Sequence, residues 1–182
     1  NLLTTLPVEM ATCTKLELVR IAANRFEALP EWLLSMPRLS WLGYSGNPVC
    51  AAAEARALTG QVALAQIPWA SLQLQQKLGE GASGVIYQAA LAGASQEVAV
   101  KVFKGALTSD GLPHSEIAAY LSAGSHPYLI NLIGKVTGHP DKTEALVMQL
   151  VDSSYRNLAA PPSLQSCTRD VYAADLRFSL ND

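Results

Sequence analysis

The chain has 182 residues, of which 49% are hydrophobic and 15% are charged, and its formal net charge at pH 7 is −2. This composition is typical of a globular protein and excludes an intrinsically disordered chain. The nearly neutral charge argues against a nucleic-acid partner or an anionic membrane surface, because both favour a basic face.

Asparagine recurs with a period of 23 at the start of the chain, at Asn1, Asn24 and Asn47. Other residues recur in the same phase: Leu6 and Pro7 match Leu29 and Pro30, and Leu16, Val19 and Ile21 match Leu39, Leu42 and Tyr44. The period predicts units of one short strand, about residues 16–21 and 39–44, and a return segment. The pattern resembles the leucine-rich repeat, which implies a short α/β solenoid in which asparagine amides satisfy backbone groups at the turns.

The residues around the repeats lead to four further expectations. Cys13 falls at an apolar position of its unit, which predicts a buried and inert thiol. Pro48 breaks the pattern and residues 51–58 favour a helix, so residues 1–59 are predicted to be repeats with a helical cap, and residues 60–68 a linker. Because a solenoid usually needs about three units or more, we expect either that Asn1 is not the natural N-terminus or that the array is very short.

The stretch KLGEGASGVIYQA, residues 77–89, contains three glycines within six positions, Gly79, Gly81 and Gly84. By itself GxGxxG fits a plain hairpin turn as well as a phosphate-binding loop. In a Rossmann dinucleotide loop the third glycine opens a helix. Here the β-branched and aromatic residues VIYQAAL follow, which predicts a strand. The glycines are therefore predicted to join two strands.

The next predicted strand, EVAVKVF at residues 97–103, carries Lys101 inside an apolar run. A buried lysine is costly without an anionic partner, so a carboxylate or a phosphate is expected beside it. Glu116, on a helix predicted to start at Pro113, is the preferred carboxylate. Glu97 precedes the strand core and is predicted to be solvated. Further strands are predicted within residues 126–136 and 144–151.

Taken in order, these motifs resemble the small lobe of the eukaryotic-type protein kinases: GxGxxGxV, VAVK, a helical glutamate, HPxIVxLxG and an apolar strand into the hinge. The matching residues are Gly79, Gly81, Gly84 and Ile86; Val98 to Lys101; Glu116; His126, Pro127, Leu132 and Gly134; and Leu146 to Gln149. The resemblance implies that residues 69–152 form a five-stranded antiparallel sheet with one helix. The predicted fold class of the whole chain is α+β.

The resemblance also implies ATP as the bound nucleotide. Glycine N–H groups would approach the β- and γ-phosphates, Lys101 would contact the α- and β-phosphates, and Glu116 would hold Lys101 in place. The adenine pocket would be formed by Leu78, Ile86 and Ala99 as its roof, Met148 at the gatekeeper position, and Gln149, Leu150 and Val151 at the hinge.

The family's catalytic loop, HRDxxxxN, and its metal-binding DFG motif do not occur in the sequence. TRDVYAAD, residues 168–175, has Thr168 in place of the histidine and Asp175 in place of the asparagine. Residues 153–182 are predicted to follow the hinge into an incomplete large lobe. We therefore expect a fragment of a protein kinase, inactive alone, with Mg²⁺ bound only when the large lobe is present. The alternative is a pseudokinase or scaffold that acts mainly by binding protein through its repeats.

Cysteine usage and hydropathy bear on the compartment and the partners. The three cysteines lack CxxC spacing, which favours a reducing cytoplasm over a disulfide framework or a zinc site. The uncharged run at residues 57–76 contains five glutamines, so no membrane span is predicted. We expect an unidentified protein partner at the repeats. Self-association is also expected, through apolar surface that a lone small lobe and an open solenoid would expose.

Overall fold

The computed structural model describes residues 1–60, 64–105, 111–160, 166 and 171–177. Within these residues the chain forms a two-stranded sheet near its start and a six-stranded sheet with one packed helix after it. The predicted α+β fold class is confirmed at this level. The helices are α1 (Glu31–Leu34), α2 (Pro48–Thr59) and α3 (Pro113–Ala123), with 3-10 turns at Val8–Thr12 and Trp69–Ser71.

The first sheet pairs β1 (Leu18–Arg20) with β2 (Trp41–Gly43) in parallel, and Leu18 lies opposite Trp41. The offset between paired residues equals the 23-residue period of the sequence. Both strands lie within the predicted segments but are shorter, since pairing covers only three residues of each strand. The return segments are the 3-10 turn at Val8–Thr12 and α1.

Buried asparagine amides join the two units. The Asn47 Oδ1 accepts hydrogen bonds from the N–H groups of Asn24 and Phe26, both at 3.1 Å. Its Nδ2 donates to the carbonyls of Ile21, at 2.9 Å, and Tyr44, at 2.7 Å. One unit earlier, Oδ1 of Asn24 accepts a hydrogen bond from the N–H of Leu3, and its Nδ2 donates to the carbonyls of Ile21 and Ala22. The periodic asparagines therefore satisfy backbone groups where the chain turns, as their spacing predicts.

The prediction of a buried Cys13 is wrong, because this thiol is exposed. Its counterpart one period later, Met36, is buried in a core with Phe26 and Leu33. Cys13 belongs to the first of the units that the structure describes. Leu2 and Val8 in the same unit are also exposed.

The helix α2 follows the second unit where the cap was predicted. Pro48 occupies its first turn, a position at which proline is favoured because its missing N–H has no helical partner. None of its residues is fully buried. Within the described parts of the chain, no helix is long and apolar enough to cross a membrane.

The second sheet has the strand order β3-β7-β8-β6-β5-β4. Its strands are β3 (Ala65–Pro68), β4 (Leu72–Glu80), β5 (Gly84–Leu91), β6 (Val98–Phe103), β7 (Leu132–Thr137) and β8 (Ala145–Gln149). All neighbouring pairs are antiparallel except β3 and β7. The expected five antiparallel strands are therefore present, but a sixth strand adds to them.

The strand β3 corrects two predictions, the five-stranded sheet and a linker throughout residues 60–68. It pairs in parallel with β7, and Ile67 is buried in the core of the sheet. The sequence does not reveal it because AQIP has one buried apolar residue and ends in proline, which leaves no alternating pattern to detect. Its partner strand also lies about seventy residues later in the sequence, by the register of Ala65 opposite Gly134.

Alternation along β6 separates two apolar faces. Val98 and Val100 pack into one core together with Ile67 and Val147. Ala99 and Phe103 point the other way, into a core that includes Ile117 of α3. Because side chains alternate along a strand, Lys101 lies on the same face as Ala99 and Phe103. This second face carries the candidate site.

A substitution of Gly134 tests the added strand. A Cβ on Gly134 would lie 2.5 Å from the backbone oxygen of Ala65 and 2.7 Å from Cδ1 of Ile67. We expect Gly134→Ala to displace β3 and to lower the free energy of unfolding by about 1–3 kcal/mol in urea denaturation, as overpacking usually does. Gly105→Ala is the control, because a Cβ there meets nothing within 4 Å. Equal stability of the two variants would contradict the close pairing of β3 with β7.

Candidate functional site

A cleft with a volume of about 1000 Å³ runs along the Ala99 face, between the β4–β5 hairpin and the chain that leaves β8. Its walls include every apolar or hinge residue that the sequence predicted for the adenine pocket: Leu78, Ile86, Ala99, Met148, Gln149, Leu150 and Val151. Residues from four strands thus meet at one concave surface. Its size and apolar lining suit a small-molecule ligand.

Sequence reasoning missed a polar edge of this cleft. Gln76, Gln88 and Glu97 also line it. The Gln76 Nε2 donates to Oε1 of Gln88 at 2.7 Å, and Nε2 of Gln88 donates to Oε2 of Glu97. The alternation of strands could have revealed two of them, since Gln76 and Gln88 lie two residues from Leu78 and Ile86 and so share their face. Glu97 is exposed, as predicted for a solvated strand end, and it also belongs to this hydrogen-bonded chain.

Lys101 and Glu116 meet on the same face of the sheet. The Lys101 Nζ lies 2.6 Å from Oε1 and 2.7 Å from Oε2 of Glu116. The lysine side chain is 12% exposed and the glutamate side chain 29% exposed. The ammonium group also lies 5.1 Å from the centre of the Phe103 ring, within cation–π range. β6 positions the lysine, and α3 positions the glutamate.

The three glycines of the hairpin differ in what surrounds them. A Cβ on Gly84 would lie 2.5 Å from the backbone oxygen of Val102, so the close approach of β5 to β6 requires glycine there. A Cβ on Gly79 or Gly81 would meet nothing within 4 Å, and neither residue has a positive φ. The packing of the described residues therefore gives no reason for glycine at these two positions.

Glu80, which sequence reasoning also missed, links the β4–β5 hairpin to the residue that follows β6. Its carboxylate lies 2.5 Å from Nζ of Lys104, at the end of β6, and 2.8 Å from Nζ of Lys77. Hydrogen bonds from Lys104 and then Lys77 lower the pKa of Glu80 to about 2. The lowered pKa means that the contribution of this tether to stability is complete above pH 4.5 and is lost only as the pH falls through about 2. A second link is the Lys104 N–H, which donates to the carbonyl of Ser83 at 3.1 Å.

Residues 171–175, the described part of TRDVYAAD, do not line this cleft. Of TRDVYAAD, residues 168–170 lie outside the described residues, and Asp175 is exposed. In the described ranges, no three His, Cys, Asp or Glu side chains lie close enough together to hold a metal ion.

Residues 72–159 match the family model for the protein tyrosine and serine/threonine kinase domain. The matched span starts at β4 and contains the glycine hairpin, Lys101, Glu116 and β8. The match supports a protein kinase small lobe in this part of the chain. It does not include the 23-residue units. No curated protein matches the sequence.

Proposed function

We propose that this chain carries the ATP-binding lobe of a protein kinase, whose parent transfers the γ-phosphate of ATP to a protein hydroxyl. The observation that carries the proposal is the two-pronged ion pair of Lys101 and Glu116. Lys101 does not itself line the cleft, but it lies two residues from Ala99, which does, and on the same face of β6. A lysine held by a carboxylate in this way is fixed in direction, which suits it to contact an anionic ligand. The kinase family match over residues 72–159 supports the same class.

The shape of the cleft supports a nucleotide in particular. Its apolar walls at Leu78, Ile86 and Ala99 would take the adenine ring, and the backbone at residues 149–151 would meet the ring's polar edge. The phosphates would then lie toward Lys101. Gly79 and Gly81, for which the packing gives no reason, would let backbone N–H groups approach the phosphates without a Cβ in the way.

We also propose that residues 1–59 are leucine-rich repeats that bind a protein partner in the cytoplasm. The 23-residue offset of the parallel strands and the buried asparagines support this assignment. Trp41 is partly exposed, and its ring lies 4.8 Å from the guanidinium of Arg20 on the neighbouring strand. A large aromatic residue beside an arginine is typical of protein-binding surfaces.

The chain alone is proposed not to transfer phosphate, because HRDxxxxN and DFG are absent from its sequence. The chain's own residues would hold the nucleotide, and Mg²⁺ and the catalytic base would need a large lobe. A pseudokinase or scaffold remains the alternative, and a large lobe with degraded versions of these motifs would favour it.

The proposal is tested by titrating the chain with ATP, with and without Mg²⁺, in a calorimeter. Adenosine is the matched control ligand, because it fills the apolar cleft but has no phosphates. We expect ATP to bind at least about tenfold more tightly than adenosine, the difference that one charge-assisted hydrogen bond supplies. Equal affinity for ATP and adenosine would contradict a contact between Lys101 and the phosphates. Failure of a folded chain to bind ATP would overturn the proposed function.

A further inference from the structure

We propose that the repeat segment acts on the candidate site from behind, by holding α3 and thereby the position of Glu116. The contact, called here the junction, is formed by residues 44–54 on the repeat side and residues 111–122 on the α3 side. Its α3 residues Ser115 and Ala118 line the groove shared with the repeats, whereas Ile117 of α3 packs on the sheet. The kinase family match covers the α3 side of this junction but not the repeat side. The predicted role of the repeats, binding a protein partner, does not involve α3.

Glu54 of α2 links both sides of the junction. Its Oε1 accepts a hydrogen bond from the N–H of Gly46 at 3.3 Å, and its Oε2 lies 3.5 Å from Nε2 of His114 in the first turn of α3. Leu112, which immediately precedes the first residue of α3, packs against Gly46. A Cβ on Gly46 would lie 2.9 Å from Cδ1 and 3.2 Å from Cγ of Leu112.

The face of α3 that points at the repeats consists of small residues. Ser115 and Ala118, three residues apart on that face, are 7% and 3% exposed. Together with Val49 and Cys50 they line a groove of about 630 Å³ that both parts of the chain share. Ser115 and Ala118 leave room for the repeat side to approach α3 closely, so their burial depends on the repeats staying in place.

α3 is therefore held from two sides. Ile117 anchors it to the sheet, in one core with Phe103 and Leu146. Ser115 and Ala118, two residues before and one after this anchor, face the repeats. Glu116 lies between these contacts, and its carboxylate must stay within hydrogen-bonding distance of Lys101. Loss of the junction would leave the helix anchored along one side only and would widen the range of positions open to Glu116.

The coupling itself requires no nucleotide, whereas its effect on ATP affinity rests on the proposed function. The primary readout is therefore amide hydrogen exchange of the whole chain, followed by mass spectrometry of the peptide that covers residues 113–123. ATP affinity is the second readout. This order separates failure of the coupling from failure of the nucleotide site.

The test compares two glycines that have the same backbone conformation. Gly46 has φ +70° and contacts Leu112, whereas Gly138 has φ +69° and no neighbour within 4 Å of an added Cβ. Leucine at either position is strained to the same degree by the positive φ of the backbone. Only Gly46→Leu also displaces Leu112, next to the start of α3. We expect Gly46→Leu to speed exchange in residues 113–123 about fivefold to tenfold and to weaken ATP binding by a similar factor. Gly138→Leu should change neither.

A second pair of variants covers the case in which Gly46→Leu does not fold. Ala53 of α2 lines the shared groove, whereas Ala52 does not, and both are exposed. Ala53→Arg should speed α3 exchange, and Ala52→Arg should not. Unchanged α3 exchange in both a folded Gly46→Leu and Ala53→Arg would overturn the proposal. Faster α3 exchange in these variants, together with no ATP binding by the unmodified chain, would support the coupling through the junction and overturn the proposed function instead.

Discussion

Replacing Lys101 by methionine is expected to weaken ATP binding about 10- to 100-fold, because hydrogen bonds to charged groups contribute roughly 1.5–3 kcal/mol each. Methionine keeps the length and the apolar stem of the side chain, so the packing against Phe103 should survive. Glu116 would lose its partner, but its side chain is 29% exposed and water can solvate it. The chain should therefore remain folded, and calorimetry should show the loss in ATP affinity alone.

Lys135→Met is the matched control for this experiment. Lys135 also pairs with a glutamate in the same sheet, at 2.8 Å from Oε1 of Glu144, but that pair is more exposed and involves neither β6 nor α3. We expect its ATP affinity to equal that of the unmodified chain. If both variants lost affinity equally, the effect would come from the net charge of the lobe and not from a phosphate contact.

Replacing Asn47 by alanine is expected to lower the free energy of unfolding of the repeat segment by about 3–5 kcal/mol. The change removes hydrogen bonds to two N–H groups and two carbonyls of the repeat backbone. Asn47 is itself buried, so these groups would be left in a nearly dry environment, at a cost of about 1–3 kcal/mol for each unsatisfied group. Urea denaturation, together with amide exchange of residues 18–43, measures the effect.

Asn1→Ala provides the comparison, since Asn1 holds the equivalent position two periods earlier but is exposed. Its replacement should change the free energy of unfolding by no more than about 0.5 kcal/mol, as is usual for surface substitutions. A loss below about 1 kcal/mol in Asn47→Ala would show that water replaces the amide, and the asparagine would then not be what joins the units.

The parts of the fold that could be predicted are those marked by a repeated spacing or by a continuous apolar run. The 23-residue spacing located β1 and β2, and the apolar run around Lys101 located β6. The pairing of Lys101 with Glu116 was predictable because a buried lysine needs an anion and a helix with a suitable carboxylate follows the strand. The role of the Lys101–Glu116 pair in binding a nucleotide stays a prediction.

The parts that could not be predicted depend on contacts between distant segments that leave no periodic signal. β3 has one buried apolar residue, Ile67, and its partner lies far along the sequence. The junction is built on small residues such as Ser115 and Ala118, which occur equally on exposed helices. The exposure of Cys13 depends on how its unit packs against other parts of the chain, which the local pattern does not show.

The added strand β3 also has a consequence for aggregation. Without it, the six-residue β7 would form one edge of the sheet and could pair with a strand from another molecule. The edge is instead a four-residue strand that ends in Pro68, which lacks the N–H needed to extend the ladder. The other edge, β4, is interrupted by register shifts between Leu74 and Gly79. Both edges therefore resist amyloid-like strand addition, and the self-association expected of this chain would use its exposed apolar side chains, such as Tyr128 and Leu129, and would not extend the sheet.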